Sequence, residues 1–101
     1  MKHSKLAARE RTAQILTSAL KLAAQSGYAR VTREALATAA GVSPALVSHH
    51  MGTMVELRRD IMREAIRVQN LRVIAQGLAA RDAHARKAPP ELQARALASL
   101  A

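Results

Sequence analysis

The sequence predicts an all-α protein, and three observations carry that expectation. Alanine and leucine are abundant and β-branched residues few, which favours helix throughout. Apolar residues return every three or four positions over long stretches, the spacing of one helix face. Gly27, Gly41, Gly52, Pro44 and the Pro89-Pro90 pair fall at the edges of those stretches, where they stop and start helices. The 101 residues suit one domain with one modest core.

The first helix is expected from about Leu6 to Ser26. Ile15, Leu16, Ala19, Leu22 and Ala23 form its inner stripe, and Arg9, Arg11 and Lys21 lie away from it. Gly27 ends it at the C′ position. Tyr28 follows, with its ring expected against the first two helices, and Arg30 sits in the loop. Ahead of this helix, Lys2, His3 and Lys5 make a short basic arm. Such an arm either follows a phosphate backbone or is a solvated tail. A copper or nickel chelate at Met1-Lys2-His3 is the minor alternative.

The chain is organised around residues 32–51, TREALATAAGVSPALVSHHM. Thr32 is an N-cap, since its hydroxyl can accept a bond from a free amide of the first turn. Leu36, Ala37 and Ala40 share one face of the helix that follows. Gly41 ends that helix, and Val42 plugs the corner. Ser43 caps a new helix, with Pro44 at the first position, where a missing N–H costs nothing. Val47 and Met51 face inward, leaving Pro44, Ala45, Leu46, Ser48 and His49 outside. Gly52 closes the unit. Two short helices joined by a glycine turn, in a strongly basic chain, is the pattern of a DNA-binding helix-turn-helix. An ordinary helical hairpin is the alternative.

Thr53-Met54-Val55-Glu56 reads as a capping box opening a fourth helix. Leu57, Ile61, Ala65, Val68, Leu71, Ala75 and Leu78 then continue as one stripe of roughly 30 Å. Ile66, Val73 and Ile74 widen it. Three short helices cannot cover so much apolar surface, so a fifth helix or a second subunit is required. Leu57, Ile61, Val68, Leu71, Ile74 and Leu78, with Leu92 and Leu97 further on, are the candidate dimerisation residues. Arg58, Arg59, Arg63, Arg67 and Arg72 line the other side. Arg58 and Arg59 are near enough to the recognition helix to reach phosphate, and the rest read as a solvated, partly paired face. Gly77 is either tolerated inside this helix or marks its end. Residues 78–88 are expected to be helical but weakly specified. Pro89-Pro90 breaks the chain, and a last helix opens at Pro90 or Glu91 with Leu92, Ala96 and either Leu97 or Leu100 on one face. A helix of about ten residues must dock to persist. The expected organisation is a DNA-binding domain over 1–52 and a helical dimerisation region over 53–101, forming one unit.

Charge and composition narrow the function. A net charge of +9 points to a polyanion partner. One aromatic residue argues against readers of RNA or single strands, which stack bases on aromatic platforms, and favours duplex DNA. Without cysteine there is no disulfide, thiolate zinc site or Cys nucleophile. No His spacing suits zinc, and no phosphate-cradling glycine loop, nucleophile elbow or carboxylate pair appears. The sequence therefore predicts neither enzyme activity nor a cofactor or metal. No apolar run spans a membrane and no secretory signal is apparent.

Residues 11 to 57 resemble the N-terminal DNA-binding region of the TetR family of bacterial repressors. The resemblance rests on Arg11, Ile15, Leu16, Ala19 and Leu22, then Gly27-Tyr28, Thr32 and Leu36-Ala37. It continues through Ala40-Gly41-Val42-Ser43, His49-His50 and Glu56-Leu57. The chain departs from the family pattern at Ala23, where an aromatic is usual, and at Met51, where phenylalanine is. Ala45, Leu46, Val47 and Ser48 replace a common Gly-Thr-Leu-Tyr run. Met54 replaces a phosphate-binding lysine, and Ser48 is too short for the reach of the family's tyrosine.

Docked as helix-turn-helix proteins dock, the second helix of the motif enters the major groove. Pro44, Ala45 and Leu46 then offer apolar contact suited to thymine methyls. Ser48 can bond an edge, and His49 is the main polar base reader. Arg11, Thr32, Arg33, Ser43, His50 and Thr53 are the phosphate-contact candidates. The resemblance implies a cytoplasmic, nucleoid-associated repressor acting as a homodimer on a palindromic operator. Only about 45 residues follow the matching region, too few for an enclosed ligand pocket, so no small-molecule inducer is expected. Two rivals stand: a protein-interaction module working through the fourth helix, and a DNA-coating protein acting through charge alone.

Overall fold

Three hydroxyl caps set the frame of the motif in a computed structural model that describes residues 4–100. Thr32, Ser43 and Thr53 each accept a bond at 3.1 Å from the backbone N–H three residues on: Ala35, Leu46 and Glu56. Helices α2 (Arg33–Ala40), α3 (Pro44–Met51) and α4 (Met54–Arg67) start there. Before them runs α1 (Ser4–Ser26), and after them α5 (Leu71–Ala79) and α6 (Pro90–Ala98). Single 3-10 turns at Tyr28–Arg30 and Ala85–Lys87 fill two of the connections. No strand occurs among the described residues, so the expected all-α class holds. The expected basic arm and chelate at Lys2 and His3 lie outside the described residues, as does the side chain of Lys5.

One core runs through all six helices. Ile15, Ala19 and Ala23 of α1 meet Leu36 and Ala37 of α2, Val47 and Met51 of α3, and Leu57 and Ile61 of α4. Val73, Ile74 and Ala75 of α5 and Leu92 and Ala96 of α6 extend the same cluster. These are mostly small or aliphatic side chains, so backbones can approach closely. Gly77 is the extreme case. A Cβ there would sit against the Met62 methyl and 2.9 Å from the Ala85 Cβ. This glycine lies inside α5, neither idle nor at its end, because α4 and the second 3-10 turn press on that point.

The long fourth helix expected from the apolar stripe is two helices. It stops at Arg67 and restarts at Leu71. The N–H of Asn70 bonds the carbonyl of Ala65 at 2.8 Å, and that of Gln69 bonds Ile66 at 3.2 Å. This closed C-terminus requires a left-handed residue, and Gln69 supplies it with φ of 57°. Asn70 then caps α5, its Oδ1 accepting from Val73 N–H at 3.1 Å. The same device ends α5: Asp82 N–H bonds Gly77, and Arg81 takes φ of 58°. Of residues 78–88, only Leu78 and Ala79 belong to the helix; the rest do not continue it.

The break redistributes the stripe. Leu57, Ile61, Ile74 and Leu92 were expected at a dimer interface, but they are buried inside this chain, at 6% exposure or less. The fifth and sixth helices fold back and cover them. Val68 and Leu97 remain open, and Leu71 and Leu78 are half-buried.

The Tyr28 ring is buried, and its polar atoms reach α4, α5 and the turn after α5. The phenol O–H donates to Asp82 Oδ2 at 2.8 Å, with the Arg58 carbonyl oxygen 3.1 Å away. Its backbone N–H donates to Gln76 Oε1 at 2.8 Å. Asp82 uses its other oxygen to accept from the N–H groups of His84 and Ala85. One carboxylate thus joins the loop after α1 to the turn after α5.

Burial, then the Asp82 hydrogen bond and charge, push the Tyr28 phenol well above its ordinary value; Arg58 opposes them weakly. Ionising the phenol would break this clamp. Its contribution to stability is therefore whole below about pH 10 and is lost as pH rises through the raised folded value. Tyr28 is the sole tyrosine and there is no tryptophan. Absorbance at 295 nm should accordingly stay flat through the usual tyrosine range while helical circular dichroism persists, and both should change together above it. A phenol titrating near pH 10 in the helical protein would refute the clamp. Separately, Asn70→Ala should cost about 1 kcal/mol in denaturant melts, the worth of a helix cap. Gln69→Gly should gain roughly 1 kcal/mol by relieving the left-handed residue. Opposite signs would mean that the helix is not broken there.

Candidate nucleic-acid interface

The turn between α2 and α3 is fixed by backbone bonds. Gly41 takes φ of 70°, a conformation that non-glycine residues enter at a cost of about 1–2 kcal/mol. It lets Val42 N–H bond the Ala37 carbonyl at 3.0 Å and Gly41 N–H bond that of Thr38 at 3.3 Å. Val42 packs half-buried against the core, as expected of the corner residue. The next residue, Ser43, caps α3. Val47 and Met51 anchor that helix with 1% and 4% exposure.

With those anchors inward, the opposite face of α3 is set. Pro44, Ala45 and His49 are exposed, and Ser48 is half-buried. Leu46, expected outside, is half-buried too, so it contributes an edge to that face and not a full side chain. The face is mainly apolar, with an imidazole and a hydroxyl as its hydrogen-bonding groups.

The N-terminus of α3 carries no acidic residue in its first turn. Its dipole and free amides are open to an anion, and the Ser43 hydroxyl, having accepted from Leu46, still has a proton to donate. The Thr32 cap likewise keeps its proton, although Glu34 sits in the first turn of α2. Thr53 is different. Its N–H donates to Glu56 Oε1 at 3.0 Å, completing the expected capping box. Those bonds to Thr53 hold the Glu56 carboxyl below the usual carboxylate range. An anion of the protein's own already occupies this helix end, so Thr53 has only its hydroxyl to offer phosphate.

Arg11 is exposed on α1. Arg33 is half-buried, and its Nε is buried with no partner among the described residues. His50 is half-buried, and its Nδ1 lies 3.0 Å from Thr12 Oγ1 on α1. This link was missed in the sequence because no spacing announces a pair 38 positions apart. The His49 and His50 rings meet edge to face, 5.2 Å between centroids. Of the α4 arginines, Arg59 pairs with Asp60 at 3.1 Å and Arg67 with Glu64 at 2.5 Å. Arg58, near the Tyr28 hydroxyl, is half-buried and Arg63 exposed. Among the described residues, no group of three His, Asp or Glu could hold a metal ion, and no helix is long and apolar enough to cross a membrane.

Comparison with known proteins agrees with this geometry. Residues 15–61, just under half of the chain, match the family model of bacterial regulatory proteins, tetR family. The match runs from the first buried residue of α1 to Ile61 in α4, taking in the whole helix-turn-helix. No curated protein and no solved structure matches the chain.

Nothing lies within 4 Å of a Cβ added at Gly41, so only its backbone conformation resists substitution. Gly41→Ala should therefore cost about 1 kcal/mol in thermal or denaturant melts. An unchanged midpoint would show that the turn is not left-handed.

Proposed function

Since residues 15–61 are a helix-turn-helix DNA-binding region of the TetR family, we propose that the chain is a sequence-specific, double-stranded DNA-binding transcriptional repressor. Members of that family are regulators and not enzymes. The observation that carries the proposal is the outer face of α3, left free by the inward Val47 and Met51 and headed by an acid-free, capped N-terminus. In the major groove, Pro44 and Ala45 meet thymine methyls, with Leu46 at the edge, and His49 donates to guanine O6 or N7. Ser48 bonds an edge or a phosphate. Arg11, Thr32, Arg33, Ser43 and His50 grip the backbone, with a lesser contribution from Thr53.

The proposed working form is a homodimer on a palindromic operator, its two recognition helices about 34 Å apart, one duplex turn. Its interface draws on apolar groups the core leaves uncovered: Val68, Leu71, Leu78 and Leu97. Leu71 also lines an open groove between α5 and the end of α6 with Leu100. This reading includes no small-molecule inducer. The groove between α1 and α2, lined by Thr17, Lys21 and Gln25 among others, is about 130 Å³, and the wider one beside Leu71 and Leu100, about 480 Å³, is an open surface groove that the proposed dimer contact would cover. The expected location is the cytoplasm, on the nucleoid.

The test is binding to a duplex from upstream of the protein's own gene against a scrambled duplex, at about 150 mM salt. A preference of ~10³-fold or more is expected there or, failing that, for a duplex selected from a random pool. His49→Ala should lower that preference by about five-fold or more, the worth of one base contact. Equal binding to every sequence, even after selection, would leave charge alone as the mechanism.

A further inference from the structure

We propose that Thr12, on α1, is a positioning residue that orients the His50 imidazole so that its Nε2–H faces a DNA phosphate. The inference rests on the DNA-binding reading and adds a residue to it. Thr12 and His50 are joined at 3.0 Å through Oγ1 and Nδ1. Among the described residues the Thr12 hydroxyl has His50 as its one hydrogen-bond partner, so its proton is available to the ring. When the hydroxyl donates to Nδ1, the neutral imidazole must carry its proton on Nε2. When the ring is protonated, Nδ1–H donates to the hydroxyl instead, and Nε2–H is kept. Both forms leave a donor on the far nitrogen. That atom has no partner among the described residues and is not buried.

The placement matters because of what surrounds it. His50 is in the last turn of α3, beside exposed His49 and one residue before the buried anchor Met51. Its backbone is therefore held, while the ring would be free to turn about its own bonds without Thr12. A free ring interconverts tautomers and samples orientations, and each costs contact at the phosphate. The hydroxyl removes that freedom before DNA arrives. Thr12 also ties α1 directly to the recognition helix, so the two helices must move together.

The experiment uses the full chain and a mixed-sequence duplex of about 24 base pairs in about 50 mM salt, because phosphate contacts are sequence-blind. Thr12→Val keeps the shape and loses the hydroxyl; Thr12→Ser does the reverse. Thr12→Val should weaken binding about three- to ten-fold, the worth of one hydrogen bond, while the protein stays folded with only a small drop in melting temperature. Thr12→Ser should bind within about two-fold of the parent. In a His50→Ala background, Thr12→Val should have no further effect, as the coupling of a positioning pair demands. Full affinity of Thr12→Val, or an equal loss in both backgrounds, would overturn the assignment while leaving DNA binding intact. If the parent fails to bind the duplex at all, the DNA-binding reading and this assignment fall together. Long-range proton–nitrogen spectra give a readout that needs no DNA: His50 should carry its proton on Nε2 when neutral. A proton on Nδ1 alone would overturn the proposal.

Discussion

The left-handed turn at Gly41 is the constraint on which the presentation of α3 depends. Two backbone bonds close the end of α2 there, and the next two residues must place Val42 in the core and Ser43 at a cap. Once those are satisfied, α3 has no freedom left along its axis. Val47 and Met51 then fix its rotation, because burying either is worth about 1.5–3 kcal/mol. The exposed face of α3 is what remains after these conditions are met. Its apolar character follows from the residues left there, and a polar reader has only the ring of His49 and the hydroxyl of Ser48 to work with.

The rest of the chain holds that unit against a support. Tyr28 is the joint. Its backbone is bonded to α5 through Gln76, and its hydroxyl to Asp82, which also caps the turn that follows. A single core with almost no aromatic volume needs such directional ties, since small side chains give little shape to lock helices in register. The ties are also costly to break, because a buried phenol left without its partner keeps its desolvation penalty. The motif and the C-terminal helices are thereby parts of one body.

Much of this was legible in the residues. Thr32, Ser43 and Thr53 announce their helices through hydroxyl chemistry, and each is a cap in the structure. Gly27 marks a stop because glycine alone takes its positive φ freely, and Gly41 because glycine is the cheapest left-handed residue. The same logic explains the largest error. At Gln69 and Arg81 the chain takes that conformation without glycine, and apolar spacing runs straight through the break, so periodicity alone joins α4 to α5. Asn70 was the available signal, a good cap in the middle of an apparent helix. Missing it placed Leu57, Ile61 and Ile74 on a surface when they are core. The Tyr28–Asp82 and Thr12–His50 pairs were illegible for another reason. They join positions 54 and 38 residues apart, and only the folded path brings them together.

The outer face of α3 as the working surface is the central claim, and amide shift mapping tests it most directly. The nitrogen-15-labelled protein would be titrated with a short duplex. The account predicts the largest shifts at residues 43–50 and at the neighbouring N-terminus of α2, with α5 and α6 nearly silent. Shifts concentrated on α5 and α6, with α3 unmoved, would contradict it and move the working surface to the C-terminal helices.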